Sequence, residues 1–271
     1  MSAQMRGVFR SCVFAALTVA SGVEAQEIKI GGTGAGLGTM QLLADAYANN
    51  QRDAKITVLP NLGSGGGIKA LLAGAVQVAV TARPLSEAES KAGATAVEYG
   101  RTPFVFATAA TNKVNGITTQ NLVDFYAGTV NAWPDGSRLR LVLRPVGDSD
   151  SETIKAMSPA MHTAKLAAER REGMIFAVTD QESASAIERT SGALGPSTLA
   201  LLLSEKRPLK ALALDGVIPN VQTIANGSYP LMKQLLLVTG PKTSPQAHAF
   251  VNFVRSAAGR EILQQSGHWV K

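Results

Sequence analysis

A single cysteine, Cys12, occurs among 271 residues, which excludes a disulfide framework and any cysteine-based metal centre. Aromatic residues are only 5% of the chain, which counts against a sugar site built from aromatic platforms. His162, His248 and His268 are the only histidines. They have no metal-site spacing, so surface or helical positions are expected and no metal is assigned. Beyond the N-terminus no segment approaches the roughly 18 uninterrupted apolar residues of a membrane-spanning helix. No lysine or arginine run interleaved with aromatics argues for nucleic acid. There is also no internal repeat and no low-complexity linker. What the chain does carry is a mild basic excess, a formal charge of +6, which suits an anionic ligand.

The N-terminus reads as an export signal. Arg6 and Arg10 precede a short apolar stretch over 13–23, and Val23-Glu24-Ala25 forms a small-residue cleavage site. Residues 1–25 are therefore expected to be a signal peptide, with Gln26 opening a mature chain that is periplasmic or secreted. Cys12 lies before the apolar stretch, so a lipid-anchored cysteine is not expected. The remaining length suits two lobes better than one compact core.

From residue 28 onward, strand-like and helix-like segments alternate, the pattern of an α/β protein with mostly parallel sheets. Strands are expected at 28–30, 55–59, 76–80, 103–108, 139–143, 174–178 and 231–238, and helices at about 39–49, 66–74, 120–126, 246–254 and 258–264. Two glycine-rich loops follow strands. One is Gly31-Gly32-Thr33-Gly34-Ala35-Gly36-Leu37-Gly38, and the other is Asn61-Leu62-Gly63-Ser64-Gly65-Gly66-Gly67. Glycine lets a ligand approach the backbone, and the free N–H groups of a first helical turn suit an oxyanion. Right-handed crossovers would bring these loops and residues 81–85 to one sheet edge. Enzyme motifs fail on register. A dinucleotide fingerprint from Gly32 meets Leu37 where glycine is required, and a P-loop from Gly63 meets Ile68 and Ala70 where glycine and a hydroxyl are required.

These glycine segments, Thr81-Ala82-Arg83-Pro84-Leu85, the 122–128 stretch running toward Trp133, and Tyr229-Pro230-Leu231 occur in an order that resembles the phosphate-binding proteins of ABC importers. The resemblance spans nearly the whole mature chain. It implies a type II periplasmic-binding-protein fold: two α/β lobes, 26–107 with 236–271 and 108–235, joined by two crossing strands and closing on a ligand cleft. It also implies a ligand set. Gly36 and Leu37 stand where the family presents backbone donors. Ser64, with Gly65 after it, matches the family serine that contacts phosphate, although serine is equally suited to capping the helix expected there. Arg144 matches the arginine that forks phosphate, and Arg83 follows directly on the position of the family's proton-accepting aspartate.

That aspartate is replaced by Ala82. After Arg144, the run Asp148-Ser149-Asp150 stands where the family shows serine, glycine and threonine donors. A carboxylate repels an anion unless it accepts the ligand's proton or faces away. Asp148 or Asp150 could supply the acceptor missing at Ala82, or both could cap the helix that includes Ile154 and Lys155.

Taken together, these features lead to the expectation of an exported monomeric solute-binding protein that captures a small oxyanion, phosphate first, for a membrane ABC permease. Neither catalysis nor a cofactor is expected, and nucleic acid is not a partner. A sensor of the same fold that signals to a membrane receptor is the alternative. An exported phosphatase is disfavoured, because Ser149 has no positioned base nearby except His162 on another expected helix.

Overall fold

The computed structural model describes residues 27–51 and 54–270. The expected signal peptide, with Cys12, lies outside the described residues. The chain opens with β1 (Ile28–Gly32), α1 (Gly34–Asn50), β2 (Ile56–Val58), α2 (Gly63–Ala73), β3 (Val78–Thr81) and α3 (Glu87–Lys91). Strand β1 pairs in parallel with β2 on one side and β3 on the other. The segments that leave all three strands therefore emerge on the same edge, as the crossover rule requires.

Strand β4 (Thr95–Ala109) is 15 residues long and serves both halves of the molecule. After it come β5 (Gly116–Ile117), α4 (Thr119–Ala127), β6 (Arg140–Leu143), α5 (Ser149–Ala156), α6 (Pro159–Arg170), β7 (Ile175–Phe176), α7 (Asp180–Arg189), β8 (Ala193–Thr198) and α8 (Leu199–Ser204). The chain closes with β9 (Leu209–Ala211), β10 (Ala213–Leu214), α9 (Val221–Ala225), β11 (Met232–Thr239), α10 (Pro245–Val254) and α11 (Ala257–Gln265). Residues 95–103 of β4 pair with β11, and residues 104–109 pair with β8 and β9. One sheet results, in the order β2-β1-β3-β11-β4-β8-β6-β7 with β9 on β4, and a separate β10-β5 pair lies beside it.

Each half has its own core. In the first, Ile28 and Ile30 of β1 pack with Met40 and Leu43 of α1 and Phe250 of α10. In the second, Phe104 and Phe106 of β4 pack with Tyr126, Leu143, Ile154 and Met161. Helix starts are written locally by side-chain caps. Thr118, Asp148, Ser158, Thr179, Thr198, Ser244 and Ser256 each accept an N–H from the first turn they precede, satisfying donors that the helix cannot.

The glycine-rich segments differ from expectation. Helix α1 begins at Gly34, not near residue 39, and α2 begins at Gly63, so most of these glycines lie inside first turns. At several of them the role is close approach. A Cβ at Gly34 would collide with Asn61, Asp180 and Gln181, one at Gly38 with Ser204 of α8, and one at Gly67 would sit 2.6 Å from the Cα of Gly32. Gly32 and Gly63 have positive φ values of 144° and 69°, which glycine adopts at no steric cost.

His268 also departs from expectation. His162 and His248 are exposed on α6 and α10, but His268 is fully buried after α11, against Tyr99, with Nδ1 3.2 Å from the Leu263 carbonyl. Burial pushes its pKa down from 6.5 to about 4, so it folds neutral. The unfolded chain then binds a proton that the folded chain refuses. The resulting stability is complete above about pH 6.5 and drains away as pH falls toward 4. Between pH 7 and about pH 4.5 the wild type is expected to lose about 2 to 3 kcal/mol more than His268→Gln in urea unfolding. Equal losses would contradict a neutral buried His268.

Candidate functional site

Where the two halves face each other they enclose a cleft of about 530 Å³. Thr33, Ser64, Gly65 and Arg83 line it from the first lobe, and Arg144, Asp148, Ser149, Thr179 and Asp180 from the second. Each lobe presents two helix starts. Thr33 and Ser64 belong to the starts of α1 and α2, Ser149 and Asp180 to those of α5 and α7. Open N–H groups and the positive ends of four helix dipoles therefore meet in one cavity, which favours negative charge there.

The two serines are set up in the same way. Ser64 does not cap α2, whose N-cap is Leu62; its Oγ instead accepts the N–H of Ala82 at 3.0 Å. Ser149 Oγ accepts from Lys233 Nζ at 3.4 Å. A hydroxyl has one proton and two lone pairs. With a lone pair on each already engaged, both O–H groups remain to donate into the cleft, one from each lobe.

The two arginines are held by carboxylates. Arg83 forks Glu89 at 2.9 and 2.7 Å, and its Nη2 would lie 3.8 Å from a Cβ on Gly65. The Glu89 hydrogen bond raises the Arg83 pKa, and Arg83 holds Glu89 down at about 2. Arg144 is buried, gives Nε and Nη2 to Asp148 at 3.2 and 2.9 Å, and gives Nη1 to the Ala177 carbonyl at 3.0 Å. Burial works against its charge, but Asp180, Asp150 and Asp148 more than offset this and raise its pKa.

Three acidic side chains thus surround Arg144 in different roles. Asp148 is fully engaged, capping α5 by accepting the Asp150 N–H at 2.9 Å while it forks Arg144. Asp150 points away from the cleft into a buried ion pair with Lys233 of β11, whose ammonium also lies over the Phe104 ring. Burial works most strongly against the Lys233 charge, but Asp150, Asp180 and Asp148 together outweigh it and raise the pKa. Asp180, largely buried, accepts one hydrogen bond at Oδ2 from Asn61 at 3.1 Å and, among the described residues, no other side-chain bond. Its Oδ1 accepts no hydrogen bond among the described residues, and exposed Glu152, bonded through Oε1 to Lys155, adds a further carboxylate to the lining.

The expected site residues are therefore partly assembled. Ser64, Gly65, Arg83, Arg144, Asp148 and Ser149 share the cleft lining, while Asp150 lies behind it. Gly36 and Leu37 are buried outside it, because α1 has already begun and a Cβ at Gly36 would press on Tyr99 and Val80.

Sequence reasoning passed over Asn61, Thr179 and Asp180. Asn61 Nδ2 reaches both Asp180 Oδ2 and Gln181 Oε1 at 3.1 Å, and Gln181 Nε2 reaches the Gly34 carbonyl at 3.1 Å, so these bonds join the lobes across the cleft. The signal was present: Thr179 and Glu182 form a capping box directly after an apolar segment.

Comparison with known proteins agrees with this geometry. Residues 18–258 match the family model described as a PBP superfamily domain. The phosphate-binding protein PstS of Borreliella burgdorferi is 24% identical over 219 residues, 76% of each chain. A structure described as a phosphate ABC transporter substrate-binding protein with bound phosphate, from Clostridium perfringens, aligns with a TM-score of 0.75 at 20% identity, over 91% of this chain and 100% of that one. The periplasmic molybdate-binding protein of Azotobacter vinelandii aligns with a TM-score of 0.62 at 15% identity, over 90% and 99%. The chain belongs to the PBP superfamily, has the type II periplasmic-binding fold, and resembles the phosphate-binding proteins of ABC importers.

Proposed function

We propose that this protein is an exported solute-binding protein that captures a tetrahedral oxyanion, phosphate first, and presents it to an ABC permease without chemical turnover. The observation that carries the reading is the convergence of four helix starts, two serine hydroxyls and two arginines on one cleft, drawn from both lobes. Only with the lobes together do Ser64 and Arg83 face Ser149 and Arg144. The anion thereby binds the closed arrangement more tightly and shifts the equilibrium toward it. That liganded arrangement is what a permease would recognise. Residues 1–25 would be removed on export. Among the described residues no helix is long and apolar enough to cross a membrane.

The position lost at Ala82 is compensated from the other lobe. Asp180 Oδ1 can accept the proton of monohydrogen phosphate, whereas sulfate, fully ionised, would leave two acceptors facing one another. An unpaired buried acceptor costs about 1 to 3 kcal/mol, more when charged, so sulfate should bind at least roughly tenfold more weakly. Asp180→Asn, which can offer a donor instead, is expected to weaken phosphate and admit sulfate. An unchanged phosphate-to-sulfate ratio would remove Asp180 from this role.

A thermal-shift series with phosphate, sulfate and molybdate tests the function itself, since a ligand of the native state raises the melting temperature. Phosphate is expected to give the largest shift. A larger shift with molybdate would transfer the reading to that anion, which the structural likeness to a molybdate-binding protein makes the natural competitor.

A further inference from the structure

The second lobe holds another cavity, of about 630 Å³, at the opposite end of β6 from the cleft. Arg140 opens that strand and Arg144 follows its last residue, so the two ends lie roughly 13 Å apart at the rise of a strand. Arg138, Arg140 and Arg171 line the cavity, with Phe125, Leu139 and Met174 among its apolar lining.

The state of these arginines sets the cavity apart. Arg83, Arg101, Arg144 and Arg207 are each paired with carboxylates. The three cavity arginines make no ion pair among the described residues. Arg140 Nη1 donates to the Ser191 carbonyl at 2.7 Å. Arg171 Nη2 donates to the Tyr126 carbonyl at 2.8 Å, and its guanidinium is packed so closely on Gly128 that a Cβ there would collide with it. Both groups are thus positioned by backbone carbonyls that leave their charge uncompensated. Arg138 is exposed and makes no side-chain hydrogen bond among the described residues. The one carboxylate in the lining, Glu172, is exposed and joins no salt bridge. Three cations against one anion leave a net +2 in a concave, partly apolar site.

We propose that this cavity is a second anion site, for an organic molecule bearing several phosphate or carboxylate groups. Guanidinium forks match both groups bidentately. The volume exceeds what one small tetrahedral anion needs, and the aromatic and aliphatic lining suits an organic body. The site would be independent of the cleft, because charges farther apart than the Debye length of about 8 Å at physiological salt are largely screened.

The test is calorimetric titration of the protein, saturated with phosphate, with ATP, tripolyphosphate and citrate at about 150 mM salt. At least one should bind with one-to-one stoichiometry. Arg138→Glu, a change at an exposed side chain, should weaken that binding at least about tenfold, as loss of a charge-assisted hydrogen bond does, while phosphate affinity at the cleft is retained. Binding of ATP but not tripolyphosphate would show that the organic body contributes, and binding of citrate alone would assign the site to carboxylates. Failure of all three probes to saturate, or binding unchanged in Arg138→Glu, would overturn the proposal.

Discussion

Asp150→Ala is expected to destabilise the protein by about 3 to 5 kcal/mol, the cost of removing one member of a buried ion pair and leaving the other charge uncompensated. Asp150 is 1% exposed and Lys233 5% exposed. The pair ties the first turn of α5 to β11, a strand that also pairs with β3 and β4, so its loss would be felt in both lobes. A second variant separates the pair's own worth from the cost of orphaning a charge. Asp150→Ala with Lys233→Met should recover much of the lost stability, since replacing a buried pair with apolar groups is often neutral. Urea unfolding measures both. A loss below about 1 kcal/mol in the single variant would mean that Lys233 finds water or another partner.

The second large effect is on affinity. Arg144→Ala should cost about 2 to 5 kcal/mol of oxyanion binding, the range for truncating a buried, hydrogen-bonded charge. It should also cost stability, because Asp148, Asp150 and Asp180, whose charges raise the Arg144 pKa, would lose the cation they surround. Arg144→Lys keeps a charge among those carboxylates but cannot fork Asp148 and an anion at once. That variant should therefore stay folded and still bind markedly more weakly. Wild-type affinity in folded Arg144→Lys would show that charge alone, without the planar fork, suffices.

Much of this was legible in the sequence because it is written locally. The strand-to-helix alternation and the convergence of the first three loops follow from periodicity and crossover handedness. Ser64, Arg83, Arg144, Asp148 and Ser149 all follow closely on strands that point into the cleft. What was not legible depends on distant partners. That position 34, inside the first turn of α1, has no room for a side chain is set by Asn61, Asp180 and Gln181, which are distant in sequence. Asp150 and Asp148 look equivalent in sequence, and only Lys233, 83 residues away, draws Asp150 out of the cleft. His268 has nothing nearby in sequence to mark it as buried. Asp180 could have been found, since its capping box follows an apolar segment as directly as the other helix starts do.

Calorimetric titration of inorganic phosphate into the purified protein, stripped of bound anion, tests the central claim most directly. Saturable one-to-one binding is predicted, with sulfate at least roughly tenfold weaker because it has no proton to give Asp180. A folded protein that phosphate does not saturate, or that binds sulfate equally well, would contradict it.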